Sequence, residues 1–191
     1  MLFRSLGVAL KLAVATHPID PARLTAGDRS ILDTLGQRAR RREWLVGRAA
    51  LARLPRRIPH ARYSLTHSRG IAVAAFGAGP RSIGIDLELR RGVDPRAARF
   101  FLTDEESSGL PRAAQRCSQE LLRLWTAKEA LFKADPDNRH RSLREYRIDA
   151  PASGAGTASR AGRRNARFRY ASFRVAGGYL SIAAAVRGPR P

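Results

Sequence analysis

Two short stretches of this chain carry side chains able to hold a metal ion and a phosphate together. The first, Ile83-Gly84-Ile85-Asp86-Leu87-Glu88-Leu89, alternates with the period of a β-strand, so Gly84, Asp86 and Glu88 share one face. Like charges side by side on a stiff, half-buried strand repel, and a bound cation is one way for both to stay ionised. The second stretch, Trp125-Thr126-Ala127-Lys128-Glu129-Ala130-Leu131-Phe132-Lys133, reads as a helix with Trp125, Glu129 and Lys133 on one face. A third carboxylate and an ammonium can thus be aimed at one point. Carboxylate oxygens around a divalent cation, with a lysine nearby, suit a pyrophosphate. Singly, each pattern also describes a solvated edge strand or a surface ion pair; the combination is what points to chemistry. Only Lys11, Lys128 and Lys133 are lysines among the 36 lysines and arginines, and two of the three fall in the helical stretch.

Together, Gly84-Ile85-Asp86-Leu87-Glu88 and Trp125-x-x-Lys128-Glu129-Ala130-x-x-Lys133 resemble the paired signature of the 4′-phosphopantetheinyl transferases, specifically the Sfp-like, pseudo-dimeric group. Upstream, Tyr63-Ser64-Leu65-Thr66-His67-Ser68 resembles that group's Ser-His-Ser segment, and Gly47-Arg48 the Gly-Arg of its first long helix. The likeness runs from residue 24 to residue 149, with four motifs in the expected order.

The resemblance implies an α+β fold: a pseudo-dimer of two similar α+β lobes, an N-terminal lobe of residues 1–81 and a C-terminal lobe of residues 82–191, with coenzyme A in the cleft between them. It implies transfer of the 4′-phosphopantetheine arm of coenzyme A to a serine of an apo acyl or peptidyl carrier protein, with release of adenosine 3′,5′-bisphosphate. Asp86, Glu88 and Glu129 would hold Mg²⁺, Glu129 would also accept the serine proton, and Lys133 would bind the pyrophosphate. Lys128, off that face, would serve the helix surface or the bisphosphate. Thr66 and His67 match positions that contact coenzyme A phosphates, His67 at the 3′-phosphate end; on its own, His67 also reads as a strand-end histidine bonded to a backbone carbonyl. Arg48, with Arg29, Arg42 and Arg57, would add phosphate contacts. Trp125 reads as core, and Phe100, Phe101 and Leu102 as either a carrier-docking surface or a buried helix end. One departure stands out: Leu54-Pro-Arg-Arg57-Ile-Pro59 lacks the Gly-Lys-Pro of many members, leaving Arg57 as a remnant and the adenine contacts unassigned.

A length of 191 residues suffices for one large domain or two small lobes, and 43% hydrophobic residues is a globular composition. The net charge of +20 implies an acidic partner, and charge alone does not choose among nucleic acid, membrane surface, polyphosphate and acidic protein. The resemblance selects coenzyme A and an acidic carrier protein, with no nucleic acid and no membrane. A basic nucleic-acid module would leave three acids unexplained, whereas a Mg²⁺-dependent nuclease is the competing reading of those same acids. Cys117 is the only cysteine, which excludes an intramolecular disulfide and suits the cytoplasm. Two fused lobes make a monomer sufficient.

The elements that must position these groups are legible in outline. Val8, Leu10, Leu12 and Val14 predict a first strand rather than a signal peptide. Thr25 starts a long amphipathic helical region that reaches about Leu54, and Pro55 and Pro59 end it. Strands at 62–67 and 71–76 turn at Arg69-Gly70, and strand 82–89 follows a turn at Gly77-Ala-Gly-Pro80. A helix holds Pro95–Arg99, Thr103 and Glu106 form a capping box, and the motif helix spans 118–134. Residues 151–165, rich in Ser, Gly, Ala and Arg, predict a flexible loop, and strands 166–175 and 179–186 turn at Gly177-Gly178. Trp44-Leu-Val-Gly-Arg48-Ala-Ala parallels Trp125-Thr-Ala-Lys-Glu129-Ala-Leu, and each helix precedes a hairpin, a weak internal echo.

Overall fold

The computed structural model describes residue 6 and residues 9–55, 62–77, 82–90, 92–162 and 166–186. It is an α+β protein of two antiparallel sheets. The first sheet joins β1 (Leu10–Ala15), β3 (Ile71–Gly77) and β2 (Arg62–Ser68), in that order. The second runs β4 (Ile83–Glu88), β8 (Gly178–Val186), β7 (Arg167–Val175), β6 (Ala155–Arg160) and β5 (Tyr146–Ile148). The helices are α1 (Ala26–Thr34), α2 (Arg38–Ala52), α3 (Asp104–Ser108) and α4 (Ala114–Ala134). Strand order β1-β3-β2 around α2 recurs as β4-β8-β7 around α4, with β5 and β6 added at the far edge of the second sheet.

The layers follow from alternation along strands buried on both sides. In β3, Ala72, Ala74 and Phe76 face α2, where Val46 and Ala50 meet them, while Val73 and Ala75 enter a second core with Ile83, Ile85 and Leu87 of β4. On β8, Ile182 and Ala184 join that middle core, and Ala183 turns the other way onto Leu124, Ala127 and Leu131 of α4. The order is therefore α2, first sheet, second sheet, α4. Near-continuous runs such as Ile71-Ala-Val-Ala-Ala-Phe76 are what a strand covered on both faces requires.

Where β2 and β4 meet along their edges, side chains replace the backbone ladder. Ser64 Oγ accepts from Ile85 N at 3.0 Å, Thr66 Oγ1 from Leu87 N at 3.0 Å, and Ser68 Oγ from Leu89 N at 3.0 Å. Every second residue of β2 so satisfies every second N–H on the outer edge of β4, groups that burial would otherwise leave unpaired. Glycine 84 sets the other contact of β4. A Cβ there would lie 2.0 Å from Ala130 O and 2.5 Å from Ala134 N, so α4 rests directly on the strand backbone.

Several boundaries differ from those the sequence predicts. The long helical region is two helices broken at Leu35–Gln37, where Gly36 weakens helix propagation and the Arg41 guanidinium donates to Leu32 O at 2.8 Å. Thr25 caps α1 and the Thr103–Glu106 capping box opens α3, as expected. The Arg69-Gly70 turn has φ of 49° and 77°, the pair of positive values a two-residue hairpin favours. Residues 155–160, expected as loop, form β6 against β7, because their small side chains leave room for the Tyr170 ring 3.6 Å from the Gly156 Cβ position. Within β6, Arg160 is buried and paired with Asp135. The second hairpin turns at Ala176–Gly177, one residue earlier than predicted. In β1 it is Ala13 and Ala15 that are buried, while Val14 is exposed. The expected turn at 78–80 and Arg57 lie outside the described residues.

Replacing Gly84 with alanine is expected to cost about 3 kcal/mol through overpacking and to lower the melting temperature by roughly 6–12 °C. Gly27→Ala on α1, with nothing within 4 Å of the new methyl, is expected to melt no lower than the parent. Thermal melts of both variants check the contrast.

Candidate active site

Because α4 rests on Gly84 through Ala130, Lys133 and Ala134, the side chains at that turn of the helix meet the polar face of β4. Lys133 Nζ donates to Asp86 Oδ1 at 2.8 Å and to Ile85 O at 3.3 Å. Asp86 Oδ1 also accepts from Thr66 Oγ1 at 3.1 Å. Since Thr66 Oγ1 already accepts from Leu87 N, its own proton is left to point at the carboxylate. Asp86 Oδ2 is buried and, among the described residues, has no hydrogen-bond partner. An anionic oxygen so placed is costly unless something positive or hydrogen-bonding reaches it.

Two further carboxylates share this field. Burial pushes the Glu88 carboxyl above its ordinary 4.5; Arg90 pulls it back, the Asp86 charge pushes it further up, and hydrogen bonding from the Trp125 side chain and the charge of Lys133 oppose the rise. Burial also raises Glu129, with the Asp86 charge next, Lys133 opposing and Glu88 adding to the rise. Strand and helix thus bring Asp86, Glu88 and Glu129 within reach of one another's charge. Arg90 bridges the margin of the site: its Nε lies 3.4 Å from Glu88 Oε2, and its guanidinium sits 5.9 Å from the Trp125 ring centre. Trp125, expected as core, is half-buried and edge-on to Phe101, with 5.2 Å between ring centres.

The donor set suits a hard divalent cation in kind, and the open Asp86 Oδ2 is the atom such an ion would take first. Magnesium typically keeps several waters and takes one or two carboxylates, so it needs no closed protein cage. Among the described residues no group of three or more His, Cys, Asp or Glu side chains is placed so that it could hold a metal ion.

The other expected site residues fall elsewhere. Thr66 is buried, with its hydroxyl committed to Leu87 N and Asp86, so it supports the carboxylate instead of lying open to a coenzyme A phosphate. His67, next along β2, is exposed. Arg48 stacks on Trp44 with 4.5 Å to the ring centre and pairs with Asp28 at 3.1 Å, beside a cavity of about 460 Å³ that Arg23 and Tyr63 also line. Arg29 donates to Leu24 O at 2.7 Å, and Arg42 is exposed. Phe101 and Leu102 are buried and Phe100 is exposed, which divides that trio between core and surface.

Lys128 is the clearest correction. It is fully buried, not on the helix surface, and donates to Glu106 Oε2 at 2.6 Å. Glu106 in turn accepts from Thr103 N at 2.8 Å and from Ile148 N at 2.9 Å, so one carboxylate joins α3, α4 and β5. Burial holds the Lys128 ammonium below its ordinary range, and Glu106 opposes that shift. Reading by sequence had no partner for Lys128 because Glu106 lies 22 positions away. Arg90 carried no signal at all, being one arginine among many.

A model of the 4′-phosphopantetheinyl transferase superfamily matches residues 82–184, the stretch from the start of β4 into β8. The chain belongs to that superfamily. Asp86, Glu88, Glu129 and Lys133 of this phosphopantetheinyl transferase all lie inside the matched stretch, and the first sheet lies outside it. No curated protein matches the chain.

Two outcomes are expected of the apo transferase. Between pH 4.5 and its raised folded value, Glu129 binds more proton when folded than when unfolded, so its contribution to stability falls as pH rises through that window. Glu129→Gln should therefore melt about 2 °C higher than the parent at pH 8 without divalent cation, and the gap should close below pH 4.5, as thermal melts would show. Lys128→Met should lose about 3 kcal/mol or more in denaturant titrations, because a buried charge is stranded; adding Glu106→Gln should recover part of the loss.

Proposed function

We propose that this chain transfers the 4′-phosphopantetheine arm of coenzyme A to a serine of an apo acyl or peptidyl carrier protein, releasing adenosine 3′,5′-bisphosphate. The observation that carries the reading is Asp86, pinned by Lys133 and Thr66 with one buried oxygen left open, and coupled in charge to Glu88 and Glu129. Asp86, Glu88 and Glu129 would hold Mg²⁺, which when bound neutralises charge on the pyrophosphate. The serine oxygen forms a bond to the phosphorus bearing the pantetheine arm, and the bond from that phosphorus to the bridging oxygen breaks.

In this proposal Glu129 takes the serine proton; its raised affinity for protons suits a general base. Lys133 faces the departing phosphate and balances the charge that develops there. Arg48 and exposed His67 serve the bisphosphate end, with Arg29 and Arg57 as outlying contacts. The repeated strand order around α2 and α4 supports two lobes, residues 1–81 and 82–191, joined as a pseudo-dimer with the donor at their seam. A single chain then contains the whole site, so we read the protein as a monomer. Among the described residues no helix is long and apolar enough to cross a membrane, and the one cysteine, Cys117, is unpaired; a cytoplasmic setting fits both.

Incubation with coenzyme A, Mg²⁺ and a panel of apo carrier proteins, followed by intact-protein mass spectrometry, tests the reading. The expected result is addition of the phosphopantetheine arm, reduced by about 100-fold or more in Asp86→Ala and in Glu129→Ala. Arg167→Ala, on the exposed start of β7, should stay active. Hydrolysis of a polynucleotide, with no carrier modified, would overturn the assignment.

A further inference from the structure

Asp86 and Glu88, neighbours on one face of β4, are held in different ways. Asp86 is 6% exposed and fixed, with Lys133 and Thr66 both donating to Oδ1 and Oδ2 left open among the described residues. Glu88 instead faces Arg90, just past the end of the strand, with Arg90 Nε 3.4 Å from Oε2 and Nη2 3.5 Å from Oε1. A well-made fork between guanidinium and carboxylate closes to about 2.8 Å. This one stays open. Arg90 Nε is buried and has no hydrogen-bond partner among the described residues. The side chains of the pair are 40% and 26% exposed, and ion pairs open to water hold weakly. The arginine nevertheless occupies the carboxylate that a cation at Asp86 would take as its next ligand. With Arg90 so placed, no group of three acids among the described residues is set to hold an ion.

The guanidinium also has room to move. It lines a cavity of about 510 Å³ together with Val93 and Tyr179, and another of about 500 Å³ together with Arg69 and Leu89. Its only ring contact, with Trp125, is a loose 5.9 Å from the ring centre. We infer that Arg90 is a tethered cation that competes with the divalent ion for Glu88, capping the carboxylate in the ion-free protein and swinging off it when the ion arrives. The inference rests on the metal assignment proposed above and adds to it a residue that sets the affinity for the ion. Lys133 is not such a competitor, because it takes Asp86 Oδ1 and leaves the second oxygen open. The cap also keeps Glu88 from standing uncompensated beside the charge of Asp86 while no ion is bound.

Mn²⁺ titrations followed by electron paramagnetic resonance, without nucleotide, test the competition on four forms: the parent, Arg90→Gln, Glu88→Gln and the double variant. A site capped about nine-tenths of the time binds about tenfold more weakly than an open one. Arg90→Gln should therefore bind Mn²⁺ about tenfold more tightly than the parent. In the Glu88→Gln background the same substitution should change the affinity by less than about twofold. An equal gain in both backgrounds overturns the inference, since Arg90 would then act only through the general field. Unchanged or weaker binding by Arg90→Gln overturns it too, because the arginine would then be a support for Glu88. A second readout leaves the pair intact. In Trp44→Phe protein Trp125 is the only tryptophan, and Mg²⁺ should shift its emission as the guanidinium leaves the ring. Emission that stays unchanged while the ion binds overturns the inference. Failure of all four forms to take up Mn²⁺ overturns the metal assignment itself, and this inference with it.

Discussion

Everything in the candidate site depends on how close α4 comes to β4. Strands and helices normally pack through side chains, but at Gly84 the helix backbone meets the strand backbone directly. The approach fixes the height of Glu129 and Lys133 above Asp86 to within a side-chain length, so a lysine can reach the carboxylate and a second carboxylate can feel its charge. On its buried side the same helix is fastened by Lys128 to Glu106, and through Glu106 to α3 and β5. The anchoring lysine is the immediate neighbour of Glu129 in the sequence. Charge turned toward the candidate site and charge that holds the fold thus lie side by side on a single helix.

The chain carries sixteen acids, and eleven of them are ion-paired with lysine or arginine among the described residues. The positive excess therefore stays on the arginines that these pairs leave over. Most of the paired acids do structural work: Asp135 accepts from Tyr146 and Arg160 in the core, and Glu120 holds Arg123 beside the carbonyls of Pro151 and Ser153. The site's acids differ in having more acid than base around them. In a molecule this basic, a local cluster of carboxylates departs from the sign of the wider surface, which draws anions.

How much of this could be read from sequence depended on the range of the interaction. Asp86 and Glu88 announced themselves by strand alternation, and Trp125, Glu129 and Lys133 by helical spacing, because both rules act within a few residues. Gly84 in the middle of a strand was a usable sign of close backbone approach that only the structure made specific. For Thr66 the family resemblance gives a phosphate contact, and no local pattern pairs it with its neighbour across the seam, Asp86, twenty residues away. Residues 155–160 read as loop because Ala and Gly have little strand propensity of their own; they pair because Tyr170 and the rest of β7 give them a surface to fit. Lys128 and Arg160 show the same limit, since a buried base cannot be told from a solvated one until its distant acid is found.

The hydroxyls of Ser64, Thr66 and Ser68 have a consequence for the neighbours this protein keeps. An edge strand with free amide protons invites any passing extended peptide to add itself on, the opening step of aggregation. Here three small alcohol side chains stopper that border. The strand that carries Asp86 is thereby protected from recruitment by other chains.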